Sequence, residues 1–225
     1  MSTELTSYQK DLLQHAEDVG ALKFGTFTLK SGRISPYFIN AGLLSTGPIL
    51  SSVATAYAAS VSSLPAFDVL FGPAYKGISF AACTALVLAA PPFARAVGFA
   101  YDRKEAKAHG EGGSLVGVPV RGKRVVVLDD VMTAGTAVRL AIEKIRAEGG
   151  EVVGVLQLLD REEVGAEDAE GSSTLREVER LVGGEGRVQS VLKMRDLIAW
   201  VREKGGREEQ LEQMEAYRER YGRKD

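Results

Sequence analysis

Two hydrophobic patterns alternate along the chain. Short unbroken apolar runs, many of them β-branched, are separated by longer segments in which apolar residues recur every three or four positions. The runs are typical of buried parallel strands, and the periodic segments are typical of amphipathic helices. Strands are predicted at residues 24–29, 37–39, 68–71, 94–101, 125–128, 151–159 and 188–192. Helices are predicted at residues 6–19, 47–60, 78–90, 133–145, 174–181, 195–201 and 207–221.

This alternation predicts an α/β fold with a doubly wound, mainly parallel sheet, because most strands after residue 40 are followed by a helix that can connect them to a parallel neighbour. The first helix and the two strands after it, within about residues 1–40, are expected to form a small N-terminal hood. The length of 225 residues suits one domain over residues 1–225. On the last helix, Leu211, Met214, Tyr217 and Tyr221 form one stripe that predicts packing onto the core.

The strand at residues 125–128 leads into the most informative polar segment of the chain. Two acids, Asp129 and Asp130, follow it, and small and hydroxyl-bearing residues at 133–136 then begin a helix. Free backbone N–H groups and the positive end of the helix dipole make such a helix start an anion site. The carboxylates would repel a phosphate, so they suit ribose hydroxyls or a divalent cation. The segment therefore predicts a site for a sugar phosphate with Mg²⁺; the alternative is that these residues only cap the helix.

Composition argues against several other classes of protein. A formal net charge of −2 gives no electrostatic footprint for nucleic acid. The single cysteine, Cys83, allows no intramolecular disulfide and lies in an apolar run, where a small core residue is expected. The N-terminus has no apolar signal segment, and the most apolar region, residues 78–90, is too short to span a bilayer. We therefore expect a soluble cytoplasmic protein that does not bind membranes.

Cationic residues recur beside the ends of predicted strands. Lys30 lies in a polar turn between two strands, Lys76 lies between a strand and a helix, and Arg161 follows a buried strand. In a doubly wound sheet the carboxyl ends of the strands form the ligand-binding edge. The alternative for the lysines is a solvated loop position, and the alternative for Arg161 is a surface ion pair with Glu162 or Glu163.

The segment at residues 102–113 combines charge with glycine. Arg103, Lys104, Lys107 and His109 lie within seven residues, and three glycines follow at once. Glycine resists ordering, so the segment is expected to be a mobile loop that reaches away from its own core. It is either a solvated turn or a lid that closes over a polyphosphate and excludes water. His109 is not expected to bind a metal directly, because the chain has only one other histidine.

Five segments resemble motifs of the type I phosphoribosyltransferases, and especially of the members that use orotate; one is the strand end at Asp160-Arg161, and the other four are longer. They read VVVLDDVMTAGT at residues 125–136, PAYKG at 73–77, RKEAKAHGEG at 103–112 and LKSGRISPYF at 29–38. The resemblance covers the chain from about residue 6 to its end and is weakest after residue 173. It implies a mainly parallel α/β fold, the substrate 5-phosphoribosyl 1-pyrophosphate (PRPP) and Mg²⁺ bound through PRPP near Asp129 and Asp130, with no certain direct protein ligand.

The same resemblance assigns roles to individual residues. The residues that it implies for PRPP are Lys30, Tyr75, Lys76, Arg103, Lys104, Lys107, His109, Asp129, Asp130, Val131, Met132, Thr133, Ala134, Gly135, Thr136 and Ala137. The residues that it implies for orotate are Phe38, Ile39, Thr133 and Arg161, and the catalytic ones are Lys107, His109, Asp129 and Asp130. Family members often carry a second phenylalanine where this chain has Ile39, which leaves stacking by a second ring in doubt.

The implied reaction joins orotate to the phosphoribosyl group of PRPP, giving orotidine 5′-monophosphate and pyrophosphate in pyrimidine biosynthesis. The resemblance also implies a homodimer in which the lid at residues 103–113 covers the partner's PRPP. Two alternatives stay open, a phosphoribosyltransferase for a purine and a non-catalytic PRPP sensor that binds nucleic acid. The hood segment and Arg161 argue against the first, since a purine has no carboxylate. The near-neutral charge and the intact lid segment argue against the second.

Overall fold

The computed structural model describes residues 4–29, 31–107, 113–132, 135–164 and 174–223; for residues 104–107 and 113 it describes the backbone alone. The strands are β1 (Leu22–Thr28), β2 (Ile34–Ile39), β3 (Val69–Gly72), β4 (Gly98–Lys107), β5 (Gly113–Gly117), β6 (Arg124–Asp129), β7 (Glu151–Asp160) and β8 (Val188–Lys193). The α-helices are α1 (Ser7–Asp18), α2 (Gly47–Ser60), α3 (Lys76–Ala89), α4 (Thr136–Ala147), α5 (Thr174–Leu181), α6 (Met194–Lys204) and α7 (Glu208–Tyr221). Short 3₁₀ helices lie at Ala41–Leu43 and Val61–Ser63.

A six-stranded sheet in the order β5-β4-β3-β6-β7-β8 forms the centre of the fold. Its neighbouring strands are parallel except for the antiparallel pair of β4 and β5. Strands β1 and β2 form a separate antiparallel hairpin, with Leu22 opposite Ile39 and Thr28 opposite Ile34. The predicted mainly parallel α/β fold is therefore confirmed, and the hairpin is the part that we call the hood.

The sheet separates two hydrophobic clusters, which explains why its strands read as continuous apolar runs. Along β6, Val126 and Leu128 belong to one cluster, while Val125 and Val127 belong to the other. Successive side chains on a strand point to opposite faces, so both faces of this strand are buried. Helices α1, α2, α3, α6 and α7 contribute to the first cluster, and α4 and α5 contribute to the second. Such two-sided covering is what a doubly wound sheet requires.

The predicted helices are confirmed to within a few residues. At the start of α1, the backbone N–H of Thr6 donates to Gln9 Oε1 at 3.0 Å, which is the side-chain half of a capping box. The Thr6 hydroxyl donates to the same oxygen at 2.9 Å. On α7, Met214 and Tyr217 are buried, and Leu211 and Tyr221 pack against the first cluster. The stripe on the last helix is therefore a packing surface, as predicted.

The fourth strand differs from its predicted range of residues 94–101, because it begins only at Gly98. Upstream of it, the Arg95 N–H donates to Leu88 O at 2.7 Å, and the guanidinium of Arg95 donates to Phe67 O and stacks over the Phe67 ring. These contacts tie the segment to the end of α3 instead of to a neighbouring strand. The apolar run at the start of this range predicted a strand, but the backbone N–H groups of Ala94 and Arg95 donate to carbonyls at the end of α3 and just after it.

The prediction of a loop from residue 102 is wrong for its first part, because β4 continues to Lys107 and pairs with β5. The paired residues include Tyr101 with Val116 and Asp102 with Leu115. Backbone pairing does not depend on side-chain charge, so a run of cations can lie in a strand. Strand β5 was not predicted at all. Residues 108–112, which include His109, lie outside the described residues.

Two smaller expectations were also tested. Cys83 was expected in the core, but it is only half-buried, since it lies on a helix face that is partly covered. Within the ranges that the structure describes, no helix has the length and apolar character needed to cross a bilayer.

Candidate active site

The carboxyl ends of β3, β6 and β7 lie side by side and carry the polar segments that the sequence singled out. Lys76 follows β3 at the start of α3, Asp130 follows β6, and Arg161 follows β7. The carbonyl of Asp130 accepts hydrogen bonds from Leu158 N–H at 2.8 Å and Leu159 N–H at 3.2 Å, so the loop after β6 is fastened to β7. This edge is where doubly wound sheets bind ligands.

The two acids and a lysine form the centre of this edge. Lys76 Nζ donates to Asp130 Oδ2 at 2.6 Å, and Asp130 N–H donates to Asp129 Oδ1 at 3.0 Å. From the other side, the Tyr57 hydroxyl donates to the carbonyl of Asp129 at 2.6 Å. Three separate segments therefore meet at these two acids. A charged ligand can displace Lys76 from Asp130 by offering each of them a new ionic partner.

Burial changes the acidity of this centre. It raises the pKa of Asp129 to about 6, and the negative charge of Asp130 acts in the same direction. Burial also raises the pKa of the Tyr57 phenol well above its ordinary value, with the charges of both acids adding to the effect. Tyr57 is therefore a hydrogen-bond donor at neutral pH, and Asp129 is a carboxylate poised near neutrality.

The loop between β3 and α3 approaches β6 so closely that its glycines have no room for a side chain. A Cβ on Gly72 would lie 2.2 Å from Gly77 O, and a Cβ on Gly77 would lie 2.6 Å from Leu128 O. Because both obstacles are backbone atoms, neither can rotate away. Between them the Ala74–Tyr75 peptide is cis, and the Tyr75 side chain is 69 % exposed. The loop thus presents Tyr75 and Lys76 outward from a fixed backbone.

Asp102 joins this loop to two further segments, and sequence reasoning missed it. Its Oδ1 accepts from Ala74 N–H at 2.7 Å, and its Oδ2 accepts from Lys144 Nζ at 2.5 Å. Lys144 Nζ also donates to Arg103 O at 3.2 Å. Asp102 is buried, whereas the sequence presented it only as the first residue of a charged segment. No pattern near Asp102 reveals partners that are 28 and 42 positions away.

The loop from β6 to α4 is held by its apolar and backbone groups. Val131 packs against one hydrophobic cluster and Met132 against the other, and Met132 N–H donates to the buried Gln157 Oε1 at 2.9 Å. Gly135 has φ +68°, and a Cβ there would lie 2.7 Å from Thr174 Cγ2. Thr136 and Ala137 then form the exposed first turn of α4. Helix α4 thus begins at Thr136, six residues after Asp130 and three after its predicted start.

At the carboxyl end of β7, on the other side of this sheet edge, Arg161 contacts strand β2 of the hood. Its Nη2 donates to Ser35 Oγ at 2.9 Å, and its guanidinium stacks over the Tyr37 ring at 4.4 Å. Phe38 is 40 % exposed and stacks on Phe27, with ring centroids 5.6 Å apart. Ile39 packs against the first cluster instead. The structure therefore brings Arg161 and the strand carrying Phe38 together, and turns Ile39 toward the core.

The alternative that Arg161 makes an ion pair is also realised. Its Nε donates to Glu163 Oε1 at 2.6 Å, and the pair is half-buried rather than at the open surface, because the two side chains are only 13 and 15 % exposed. Several predicted site residues lie outside the described ones, namely Lys30, His109, Thr133 and Ala134, together with the side chains of Lys104 and Lys107. Arg103 is half-buried at the base of the predicted lid.

Known proteins resemble this chain over nearly its whole length. A family model described as a phosphoribosyl transferase domain matches residues 44–185. A protein of Thioalkalivibrio sulfidiphilus named orotate phosphoribosyltransferase is 50 % identical, over 97 % of this chain and all of the relative. One of Kluyveromyces lactis with the same name is 46 % identical over 99 % of each chain. The crystal structure of orotate phosphoribosyltransferase from Francisella tularensis has a TM-score of 0.81 and 37 % identity, covering 94 % of this chain and 98 % of that one.

Proposed function

The chain belongs to the orotate phosphoribosyltransferases, and we propose from this that it transfers the 5-phosphoribosyl group of PRPP to orotate in pyrimidine biosynthesis. The products are orotidine 5′-monophosphate and pyrophosphate. The observation that carries the proposal is the sheet edge itself, where Lys76 pairs with the second of two acids in the loop before α4, and the half-buried Arg161 bonds to the hood. These groups match a phosphorylated sugar on one side and a carboxylated base on the other.

We name the two halves of the site by these ligands. The phosphate side consists of residues 72–77, Asp102 and residues 129–137. The residues that we propose to contact PRPP are Lys30, Tyr75, Lys76, Arg103, Lys104, Lys107, His109 and residues 129–137. Within this set, Asp129 and Asp130 accept hydrogen bonds from the ribose hydroxyls. The first turn of α4 donates to the 5′-phosphate, because its backbone N–H groups have no partner inside the helix.

The base side consists of residues 33–39, 161–163 and 217–223. Arg161 is the group proposed to bind the orotate carboxylate, since a planar guanidinium matches a carboxylate with two parallel hydrogen bonds. Phe38 and Ile39 border the pyrimidine ring, Ile39 through its backbone, because its side chain faces the core. Thr133 completes the proposed contacts to the base.

The chemistry of this transfer rests on positioning and on charge. A ring nitrogen of orotate attacks the anomeric carbon of the ribose as pyrophosphate leaves, and positive charge develops on the sugar. The carboxylates of Asp129 and Asp130 stabilise that charge, and Lys76 stabilises the negative charge on the pyrophosphate. For this role Lys76 has to leave Asp130. Lys76 then pairs with the pyrophosphate, and Asp130 faces the developing positive charge on the sugar.

We propose Mg²⁺ as the cofactor, bound mainly through PRPP. Two neighbouring carboxylates at an open edge fit this ion, because Mg²⁺ keeps several waters and binds few protein groups beside substrate phosphates. Bound there, Mg²⁺ neutralises charge on the pyrophosphate.

Turnover with PRPP and Mg²⁺ tests the function directly. Orotate, uracil, adenine and hypoxanthine should be compared as acceptors in the same assay. We expect turnover with orotate, and a large loss with uracil, which has the same ring without the carboxylate that Arg161 binds. Turnover with a purine but not with orotate would contradict the proposal.

We also propose a homodimer in the cytoplasm, with the lid at residues 103–113 serving the partner's site. The base of this lid is the end of the β4–β5 hairpin, at the edge of the sheet, where it can reach another subunit. A two-fold axis makes the exchange reciprocal. The single cysteine suits a reducing compartment.

Hybrid dimers test the shared lid. Lys107→Ala and Asp130→Ala should each be nearly inactive alone. After subunit exchange, half of the dimers are hybrids, and one site in each hybrid has both residues intact, so activity should recover to about a quarter of wild type. If the lid serves its own subunit, hybrids confirmed by mass will show no recovery.

A further inference from the structure

Glu163 lies where three distant segments meet on the base side. Its Oε1 accepts from Arg161 Nε at 2.6 Å and from the Tyr217 hydroxyl at 2.9 Å. Its Oε2 accepts from Arg33 Nη1 at 3.2 Å. The carboxylate thus bridges the end of β7, the C-terminal helix α7 and the turn of the hood. Its side chain is only 15 % exposed, so these hydrogen bonds are little weakened by water.

These contacts fix the guanidinium of Arg161 in one plane. Glu163 holds the Nε end, Ser35 Oγ accepts from Nη2, and the Tyr37 ring covers one face. Ser35 is itself held, because its hydroxyl donates to Tyr37 O at 2.7 Å. A free arginine loses rotamer entropy when its side chain is ordered. Here that ordering has taken place before any base arrives, which favours binding.

The end of α7 is fastened to the same place by more than Tyr217. Val164 N–H donates to Tyr221 O at 3.0 Å, and Arg223 N–H donates to Glu162 O at 2.7 Å. Arg223 Nη2 also donates to Asp160 Oδ2 at 2.8 Å. Residues on both sides of Arg161 are therefore bonded to the last turn of α7 or to the residues just after it.

We propose that Glu163 is a positioning residue that orients Arg161 toward the carboxylate of the base, and that α7 takes part in base recognition through Tyr217. The proposal rests on the proposed function, because it assumes that Arg161 binds orotate. It gives the C-terminal helix a role in specificity as well as in packing.

Charge repulsion between Glu163 and the orotate carboxylate works against this role but is the smaller effect. Arg161 and Arg33 both bond to Glu163, so the three groups together carry a net charge of +1 toward an incoming anion. Removing Glu163 would raise the positive charge, but it would also free Arg161 to rotate out of plane. A displacement of about 1 Å at a reacting site can cost about 100-fold in rate. Orientation is therefore expected to outweigh repulsion.

Kinetics of four variants test the proposal. Glu163→Ala should raise the KM for orotate roughly 10- to 100-fold and leave the KM for PRPP within about twofold. Glu163→Gln should fall between wild type and Ala, because its amide oxygen still accepts from Arg161. Tyr217→Phe, which removes one hydroxyl, should raise the orotate KM about threefold. The control is Glu215→Gln, the same chemical change on α7 at an exposed ion pair with Arg202, and it should change neither KM.

A double-mutant cycle separates positioning from a general structural effect. In an Arg161→Ala background, Glu163→Ala should raise the orotate KM no further, because Glu163 acts through Arg161. Equal effects with and without Arg161, or a fall in orotate KM in Glu163→Ala, would overturn the proposal. A rise in the KM for PRPP as large as that for orotate would overturn it too. Wild-type protein without orotate turnover would instead refute the proposed function.

Discussion

On the phosphate side of the site, backbone atoms of neighbouring segments almost touch, whereas on the base side long side chains bridge segments far apart in the chain. A Cβ on Gly72 would lie 2.2 Å from the Gly77 carbonyl, and Asp102 bonds directly to Ala74 N–H. On the base side, the side chains of Arg161, Glu163 and Tyr217 are joined to one another, in addition to the backbone hydrogen bonds between residues 162–164 and 221–223. The two halves share one sheet edge but depend on different kinds of contact.

The difference follows from what each half has to bind. A phosphate is recognised well by backbone N–H groups at a helix start, so its site is shaped by where the main chain passes. A carboxylated base needs a charged group held in a plane, which only a long side chain with its own partners supplies. The phosphate side should therefore be sensitive to added volume, and the base side to lost charge.

The largest effect is expected from one added methyl on the phosphate side. Gly72→Ala puts a Cβ against the backbone of residue 77, which cannot move without shifting α3 away from β3. We expect a loss of more than about 4 kcal/mol in the free energy of unfolding, a value seen only with severe strain. Denaturant unfolding measures it.

Gly47→Ala is the matched control, because nothing lies within 4 Å of a Cβ there and its φ is not positive. Gly47 is the first residue of α2, where alanine is well tolerated. If Gly72→Ala were as stable as Gly47→Ala, the phosphate side would not be a close backbone fit.

The next largest effect is expected from removing the charge of Arg161, the group proposed to bind the carboxylate of the base. Arg161→Ala should weaken transition-state binding by roughly 2–4 kcal/mol, seen as a raised KM for orotate with little change in that for PRPP. Arg161→Lys keeps the charge without the planar fork and should recover only part of the loss. Unchanged orotate kinetics in a folded Arg161→Ala variant would remove this residue from the base site.

The same contrast explains how much the sequence could predict. The segment at residues 125–136 is contiguous, so its strand, its acids and its helix start could all be read in order, and the structure agrees for the described part. Arg161 was found by its place after a strand and by the family resemblance, and Glu163, two residues away, was foreseen as an ion-pair partner. Ser35 and Tyr217 come from other segments, and a pairing across 126 positions leaves no periodic signal.

Strand β5 and the position of Asp102 were missed for a related reason. Charge and glycine at residues 102–113 are typical of a loop, but pairing with a neighbouring strand overrides such local preferences. The fold class was predictable because hydrophobic periodicity extends over the whole chain. The contacts of Asp102 with Ala74 and Lys144, and of Glu163 with Arg33 and Tyr217, were not, because each joins residues far apart in the sequence.

A third variant tests whether Asp102 belongs to the phosphate side. Asp102→Ala leaves Ala74 N–H and Lys144 without their shared carboxylate in a buried position. We expect a loss of roughly 2–3 kcal/mol in stability and a raised KM for PRPP, because the loop that carries Lys76 loses its anchor. The KM for orotate should change little. A rise confined to orotate would break the division of the site into two sides.

The smallest effect concerns the pH dependence of Asp129. Its pKa is raised from an ordinary value of 3.8 to about 6, first by burial and then by Asp130. Between these two pH values the folded protein binds more protons than the unfolded chain, so its stability falls as pH rises. The loss begins near pH 4 and is complete above pH 6, and it amounts to about 2 kcal/mol after allowance for partial exposure.

Asp129→Asn isolates this contribution, because asparagine has a similar shape and does not titrate. Unfolding of the unliganded proteins should show similar stability near pH 4, while above pH 7 the variant should be the more stable by about 2 kcal/mol. Turnover should move in the opposite direction, since the variant loses the carboxylate that the ribose and the developing positive charge require. Such a trade of stability for activity is expected where a buried charge serves catalysis and not the fold. A variant less stable than wild type above pH 7 would show that Asp129 is a structural residue, and the phosphate side would then be organised by Asp130 and Lys76 alone.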